Sequence, residues 1–203
     1  MRARNALLKR KPIDEAALDS FTAEVIQLGN QLIAHRHDLM PALVPRIQAA
    51  HKRIAPNGEE LRVELIPSVK KDFIAELELT RDRERKNGAT IIGPHRDEIA
   101  LLLHDRSAAD YASEGQKRTI AIALKIAQAE HLTEIHGAPP VLLIDDVMGE
   151  LDEHRRQGFL PLLEKCGSGR GQVFMTCTEE NWPQNLSKVL QRWKIHNGTL
   201  QPC

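Results

Sequence analysis

The segment Val141-Leu142-Leu143-Ile144-Asp145-Asp146 most limits what this chain can fold into. Pro139-Pro140 stops any helix running into it. Four apolar residues then follow without a break, as expected for a strand covered on both faces of a parallel sheet. Two carboxylates stand at its C-terminal end, the edge at which open α/β sheets bind ligands. Asp145 is placed to organise Mg²⁺, through water, because Mg²⁺ keeps much of its hydration shell. Asp146 is placed to polarise an attacking water. The same residues also fit a plain strand ending in a polar turn.

The surroundings support a layered α/β arrangement. A helix is expected from about Glu153 to Lys165. Gly167-Ser168-Gly169 then loops into a strand from Gln172 to Thr176. Strand, helix, strand implies a parallel layer. Just past the carboxylates comes Gly149-Glu150-Leu151-Asp152, where Asp152 would cap the next helix. The tail from Trp193 to Leu200 reads as a hairpin turning at Asn197-Gly198.

Upstream, Ala112-Ser113-Glu114-Gly115-Gln116-Lys117-Arg118 opens a long helix, expected from Gln116 to Glu134 and closed by Gly137. A Ser-x-Gly-Gln loop presents backbone N–H groups, a hydroxyl and an amide at a helix N-terminus, with Lys117 and Arg118 adding charge. That set suits a phosphate oxygen; it also suits an ordinary serine N-cap. Gly93-Pro94-His95-Arg96-Asp97 forces a turn and presents three polar groups, as a polar loop or a weak metal site at His95 and Asp97.

The first ninety residues read as mostly helical. Leu18, Phe21, Val25, Leu28 and Leu32 fall on one face, and Leu39, Leu43, Ile47 and Ile54 continue the spacing. Pro41 and Pro45 predict a kink or break, hence a helical hairpin. Asn57-Gly58 marks a turn, Leu61 to Leu65 a half-buried strand, and Ser68 a cap for a helix holding Phe73 and Leu77. The run Arg81 to Lys86 reads as a solvated face. Among 203 residues, basic and acidic side chains balance at 28 each, which excludes a globally basic nucleic-acid binder. Aromatics are 3%, so base-stacking platforms are scarce. Cys166, Cys177 and Cys203 show no metal-ligand spacing. No apolar run approaches a membrane span and no signal peptide is evident, so a cytoplasmic chain is expected.

These segments, in this order, resemble the RecF family of bacterial DNA repair ATPases, relatives of the SMC heads and of ABC ATPases. Arg4-Asn5-Ala6-Leu7-Leu8-Lys9 also looks like the family's entry into its helical arm. The resemblance covers the whole chain and corresponds to the C-terminal part of a member. It implies an α/β fold, the C-terminal part of an ABC-type P-loop ATPase head with an α-helical arm. The arm would take residues 1–89, with a short strand near 61–65, and the lobe carrying signature and Walker B would take 90–203. It further implies a slow ATPase using ATP and Mg²⁺, a homodimer formed through ATP, and binding to gapped, single-stranded or junction DNA. RecO- and RecR-type partners and support of RecA loading follow from the same resemblance.

In such a dimer Ser113, Gly115, Gln116 and Lys117 would form the signature serving nucleotide on the opposite subunit. Asp145 would be the Walker B acid, and Asp146 would stand where many ABC-type ATPases carry a glutamate. Asp152 would belong to the D-loop. The switch position after Val173-Phe174-Met175 reads Thr176-Cys177-Thr178, so Thr176 or Thr178 would offer a hydroxyl where transporters commonly have histidine. No Gly-x-x-x-x-Gly-Lys-[Ser/Thr] occurs in the 203 residues, and the usual order places that loop before Met1. The chain alone is therefore expected not to bind ATP tightly or to hydrolyse it. The alternative is an N-terminally truncated, ATPase-inactive module that binds DNA or a partner, through Arg2, Arg4, Lys9, Arg10 and Lys11. A transporter subunit is disfavoured, because its signature would usually begin Leu-Ser-Gly-Gly-Gln rather than Ala-Ser-Glu-Gly-Gln.

Overall fold

The computed structural model of the chain describes residues 1–55, 58–167, 171–178 and 191–202. Asn57 of the expected Asn-Gly turn, and Ser168 and Gly169 of the expected glycine loop, lie outside them. The chain divides into two compact units that interleave rather than meeting at residue 90. The first is Met1–Val44 with Arg62–Leu102, and the second Pro45–Leu61 with Leu103–Cys203. The interleaving arises because a long helix and two strands carry the chain from one unit into the other.

The first unit begins with α1 (Arg2–Leu8) and the long helix α2 (Glu15–Ile54). Asp14 starts α2 by accepting the Ala17 N–H at 3.0 Å. The expected hairpin is replaced by one continuous helix of 40 residues running through Pro41 and Pro45. Each proline removes one backbone hydrogen bond, but burial of Ile47, Ala50 and Ile54 beyond them outweighs that loss. The expected apolar stripe is also only half buried: Leu18 is in the core, whereas Phe21, Leu28 and Leu32 are exposed. The packed line runs instead through Val25, Ile26 and Ile33. Gly29 explains the shift, since a Cβ there would stand 2.4 Å from Phe73 Cε1.

Phe73 opens α3 (Phe73–Asn87), which is capped by Asp72, accepting the Ala75 N–H at 2.8 Å, and not by Ser68. Gly88, at φ +63°, closes it in the left-handed conformation. The charged run at its end is not uniformly solvated. Glu84 is fully buried and takes Arg4 Nη2 at 2.7 Å, while Arg81 and Arg85 pair with Glu15 on α2. Arg4 also donates to Thr22 Oγ1 and Thr90 Oγ1, and Asn5 Oδ1 accepts from Thr90. Buried charges persist when paired and fully hydrogen-bonded, and this cluster meets that condition. Arg4 therefore leaves the basic surface group to which the sequence assigned it.

The strand β1 (Leu61–Ile66) shows the expected alternation, with Leu61 and Val63 in and Arg62 and Glu64 out. It neighbours β2 (Glu98–Leu103), which neighbours β3 (Arg106–Ser107). His104 and Asp105 make the tight turn between them, both at positive φ.

In the second unit α4 (Ala108–Tyr111) precedes the long α5 (Glu114–His136). There follow β4 (Val141–Ile144), a 3₁₀ turn (Val147–Glu150), α6 (Glu153–Gly167) and β5 (Gln172–Met175). β4 and β5 are parallel, with Leu143 opposite Phe174 and Ile144 opposite Met175. Ile120, Ile122 and Ile126 of α5 form the core with Leu142, Met148, Leu151 and Phe159. Gly158 lets α6 cross the end of α2, since a Cβ there would meet the Arg53 carbonyl oxygen at 2.2 Å. The expectation that β4 is covered on both faces fails. Leu142 and Ile144 line an apolar cleft with Ile122, Ile126 and Phe159, but Val141, Leu143 and Phe174 are 56%, 74% and 58% exposed. β6 (Trp193–His196) and β7 (Thr199–Pro202) form the expected hairpin, with Asn197 and Gly198 both at positive φ. No described helix is long and apolar enough to cross a membrane.

Candidate functional site

The end of β4 is held by the end of β5. Continuing the parallel ladder, Thr176 N–H donates to the Ile144 carbonyl at 2.9 Å, and Asp146 N–H to the Thr176 carbonyl at 3.2 Å. The Thr176 hydroxyl completes the clamp by donating to Asp145 Oδ1 at 2.5 Å while accepting the Asp146 N–H at 3.0 Å. One side chain just past β5 thus holds both consecutive aspartates just past β4. Asp146 adopts φ +44°, a left-handed conformation uncommon outside glycine and best tolerated by Asn and Asp. Both aspartates are exposed. Just beyond, Met148 and Leu151 are buried and pin the turn into the core. Of the two threonines expected at the switch, Thr176 contacts the first carboxylate directly.

Asp145 has one oxygen on Thr176, and the Asp146 side chain makes no cap hydrogen bond to the turn it opens. Among the described residues no group of three or more His, Cys, Asp or Glu gathers as a metal cage. The carboxylate pair fits Mg²⁺ in the manner expected of that ion, through one or two carboxylates with water and substrate phosphate completing the shell. Bound there, Mg²⁺ would supply charge neutralisation on phosphate oxygens.

At the start of α5, Ser113 Oγ accepts the Gln116 N–H at 3.3 Å and Gln116 Oε1 accepts the Ser113 N–H at 2.9 Å. This is a complete capping box. It leaves the Ser113 hydroxyl proton free to donate to an incoming anion and orients the Gln116 amide. The Lys117 ammonium lies on Glu114 at 3.1 Å, exposed, so the charge at this helix end is partly balanced locally. Asp152 caps α6 by accepting the Arg155 N–H at 2.8 Å. Its other oxygen takes Arg155 Nη1 at 3.0 Å. Arg155 Nη2 reaches Glu59 Oε1 at 2.5 Å, and the same oxygen accepts from Gln116 Nε2 at 3.3 Å. Beside Glu59 stands His51, almost fully buried, its Nε2 3.8 Å from Glu59 Oε2. Burial pushes the His51 pKa down, more strongly than Glu59 raises it.

Sequence reasoning missed Glu59, His51 and Arg155. Arg155 carries a faint signal, three residues after Asp152 at helical pairing distance. Glu59 carries none, because it becomes meaningful only when packed beside residues far along the chain.

The Gly93–Asp97 segment lies in the first unit and serves a different purpose. Pro94–Arg96 forms a 3₁₀ turn after Gly93, which sits at φ +131°. Asp97 is buried, with Oδ1 accepting the Ser68 N–H at 2.8 Å and Oδ2 taking Arg36 Nη1 at 2.5 Å. With both oxygens engaged by protein donors, Asp97 anchors the turn. His95 Nε2 lies 3.4 Å from the Thr90 carbonyl, and partial desolvation of its ring lowers its pKa. His95 and Arg96 are left exposed on the turn.

Comparison with known proteins gives a consistent answer. No family model matches the chain. The DNA replication and repair protein RecF of Rippkaea orientalis is 32% identical over 231 residues, covering 100% of this chain and 59% of that protein. RecF of Symbiobacterium thermophilum is 34% identical over 97% of this chain and 55% of its own length. Among solved structures, the recombination mediator protein RecF bound to ATP, of the RecFOR pathway, superposes with a TM-score of 0.74 at 29% identity. That match covers 98% of this chain and 54% of that one. An SMC head superposes at TM-score 0.52 and 14% identity, which identifies the ABC-type ATPase fold alone. The chain spans somewhat over half the length of the relatives it matches. With its sequence similar to RecF end to end and its fold that of the RecF and SMC heads, this chain belongs to the RecF family of DNA replication and repair proteins, of which it represents the C-terminal portion.

Proposed function

We propose that these 203 residues supply the Walker B carboxylates and the trans-acting signature of a RecF-type, ATP-dependent DNA-binding dimer. The observation that carries this is the joint geometry of one compact unit. A threonine-clamped carboxylate pair stands at a parallel-strand edge, and a serine-capped helix start carries Ser113, Gly115 and Gln116. In this reading Asp145 holds the ion's water shell, Asp146 takes a proton from the attacking water, and the Ser113 hydroxyl donates to a γ-phosphate of the opposite subunit. Asp152 caps its helix and lines the dimer interface. The β- and γ-phosphates have no lysine loop among these residues. The loop comes from the part of the family's length that this chain does not span. The exposed apolar face of Val141, Leu143 and Phe174 supports this, because a parallel sheet is stable when both faces are covered. Gapped, single-stranded or junction DNA, RecO- and RecR-type partners, and assistance to RecA loading are proposed as the setting of that ATPase.

Mixing this chain with the N-terminal part of a RecF protein tests the proposal. The mixture should hydrolyse Mg-ATP slowly, while titration calorimetry of the chain alone should show no sub-millimolar ATP binding. Tight binding by the chain alone, or an inert mixture that demonstrably associates, would overturn it. Exposed Arg2, Lys9, Arg10 and Lys11 support a DNA contact of this chain independent of nucleotide. The logarithm of its affinity for gapped duplex should fall with the logarithm of salt concentration, by about 0.9 per phosphate neutralised.

A further inference from the structure

We propose that Glu59 and Arg155 are positioning residues that couple the Ser113–Gln116 loop to the Asp152 loop, so that displacement of one carries the other. This assignment of a use rests on the nucleotide reading above; the coupling itself rests on contacts.

The chain of bonds is short and converges on one atom. Glu59 Oε1 accepts from Gln116 Nε2 at 3.3 Å and from Arg155 Nη2 at 2.5 Å. Arg155 Nη1 continues to Asp152 Oδ2 at 3.0 Å. The second Glu59 oxygen is buried and has no hydrogen-bond partner, His51 Nε2 standing 3.8 Å away, beyond reach. Glu59 is therefore held through a single oxygen that two donors share. Moving either donor must move that oxygen or remove one of the two hydrogen bonds it accepts, which is costly for a largely enclosed carboxylate. Gly115 brings the partners closer still. A Cβ at that position would stand 3.1 Å from Arg155 Nη1, so the guanidinium lies against the loop's glycine as well as bonding to Asp152. Arg155 suits the task because its planar fork bonds two carboxylates at once. The Ser113 loop and the Asp152 loop would face nucleotide from different sides of a dimer. A link of this kind lets occupancy of the signature be felt at the D-loop before any chemistry.

Amide hydrogen exchange of the full chain, read residue by residue by NMR without nucleotide, tests the coupling. The reporters are the Arg155 N–H, bonded to Asp152 Oδ1 at 2.8 Å, and the Arg156 N–H, bonded to the Asp152 carbonyl at 3.0 Å. Gln116→Ala touches neither, yet should accelerate both about tenfold, the scale of losing one charge-assisted hydrogen bond. The Ala75 amide, capped by Asp72, should be unchanged. In a Glu59→Ala background the added Gln116→Ala should have no further effect on either reporter, since the relay is already cut. Unchanged reporters in the single variant, or an equal acceleration in both backgrounds, would overturn the proposal. If Gln116→Ala loses its helical circular dichroism, Gln116→Glu replaces it. That variant opposes a second carboxylate to Glu59 at the same length and should give the same acceleration. Exchange is measured without ATP, so a failed coupling is distinguishable from a failed reconstitution of hydrolysis.

Discussion

The two units use polar chemistry in opposite ways. In the first, Arg4 and Glu84 are 3% and 0% exposed, and Thr22, Thr90 and the Ile91 N–H engage their remaining hydrogen-bonding capacity. Asp97 is likewise buried between Arg36 and Ser68. In the second, Asp145, Asp146 and Ser113 are exposed, each held by a few bonds that leave an oxygen or a hydroxyl proton available. A satisfied, buried ion pair has nothing left to offer a ligand and holds elements together. A clamped, exposed carboxylate is preorganised and still accessible, which chemistry on phosphate requires. Exposure together with residual bonding capacity, rather than residue type, separates the structural charges from the candidate functional ones.

That contrast can be broken in order of expected effect. Glu84→Ala leaves the Arg4 charge buried and unpaired and should cost about 3–5 kcal/mol in denaturant unfolding. A loss below about 1 kcal/mol would mean the first unit's network is not structural. Asp146→Asn should do the reverse. In the mixture with a RecF N-terminal part, hydrolysis should fall about a hundredfold, while unfolding free energy stays within about 0.5 kcal/mol of the parent. Gly158→Ala drives a methyl into the Arg53 carbonyl and should cost about 1–3 kcal/mol. The thermal melt should show it, and an unchanged midpoint would contradict the close crossing of α6 on α2.

The smallest effect concerns pH. Burial lowers the His51 pKa from its ordinary 6.5, so the folded chain refuses a proton that the unfolded chain accepts. Its contribution is fully present above pH 6.5 and is lost as pH falls through the lowered folded value. His51→Gln should flatten that part of the stability profile between pH 7 and 5. An unaltered slope would remove His51 from the account.

Local signals carried far where the responsible atoms are close in sequence. Ser113 was legible as an N-cap because its partner N–H lies within one helical turn, and a complete capping box with Gln116 is observed. Asn197-Gly198 was legible as a hairpin turn for the same reason. The Val141–Ile144 strand was legible as an apolar run of strand length, and the parallel layer with the strand from Gln172 followed from the strand, helix, strand order. Misreadings came where packing outvoted a local rule. Two prolines argued for a break in α2, and buried Ile47, Ala50 and Ile54 carried the helix through. Ser68 looked like a cap, but Asp72 stands at the right place and Ser68 Oγ accepts the Gly93 N–H at 3.3 Å. The run Arg81 to Lys86 looked uniformly solvated, yet Glu84 within it is buried against Arg4, eighty residues away.

By itself the sequence determined the family, the α/β character, the order of the carboxylate strand and serine-capped helix, and the absence of a lysine loop from these residues. Those properties reside in short stretches whose spacing along the chain is their content. Only the tertiary structure decided that Thr176 clamps both aspartates, that Asp97 is an anchor, and that Glu59 joins Gln116 to Arg155. Each depends on hydrogen bonds between residues 30 to 96 positions apart. The energy of such a bond is set by burial and geometry that no local pattern encodes.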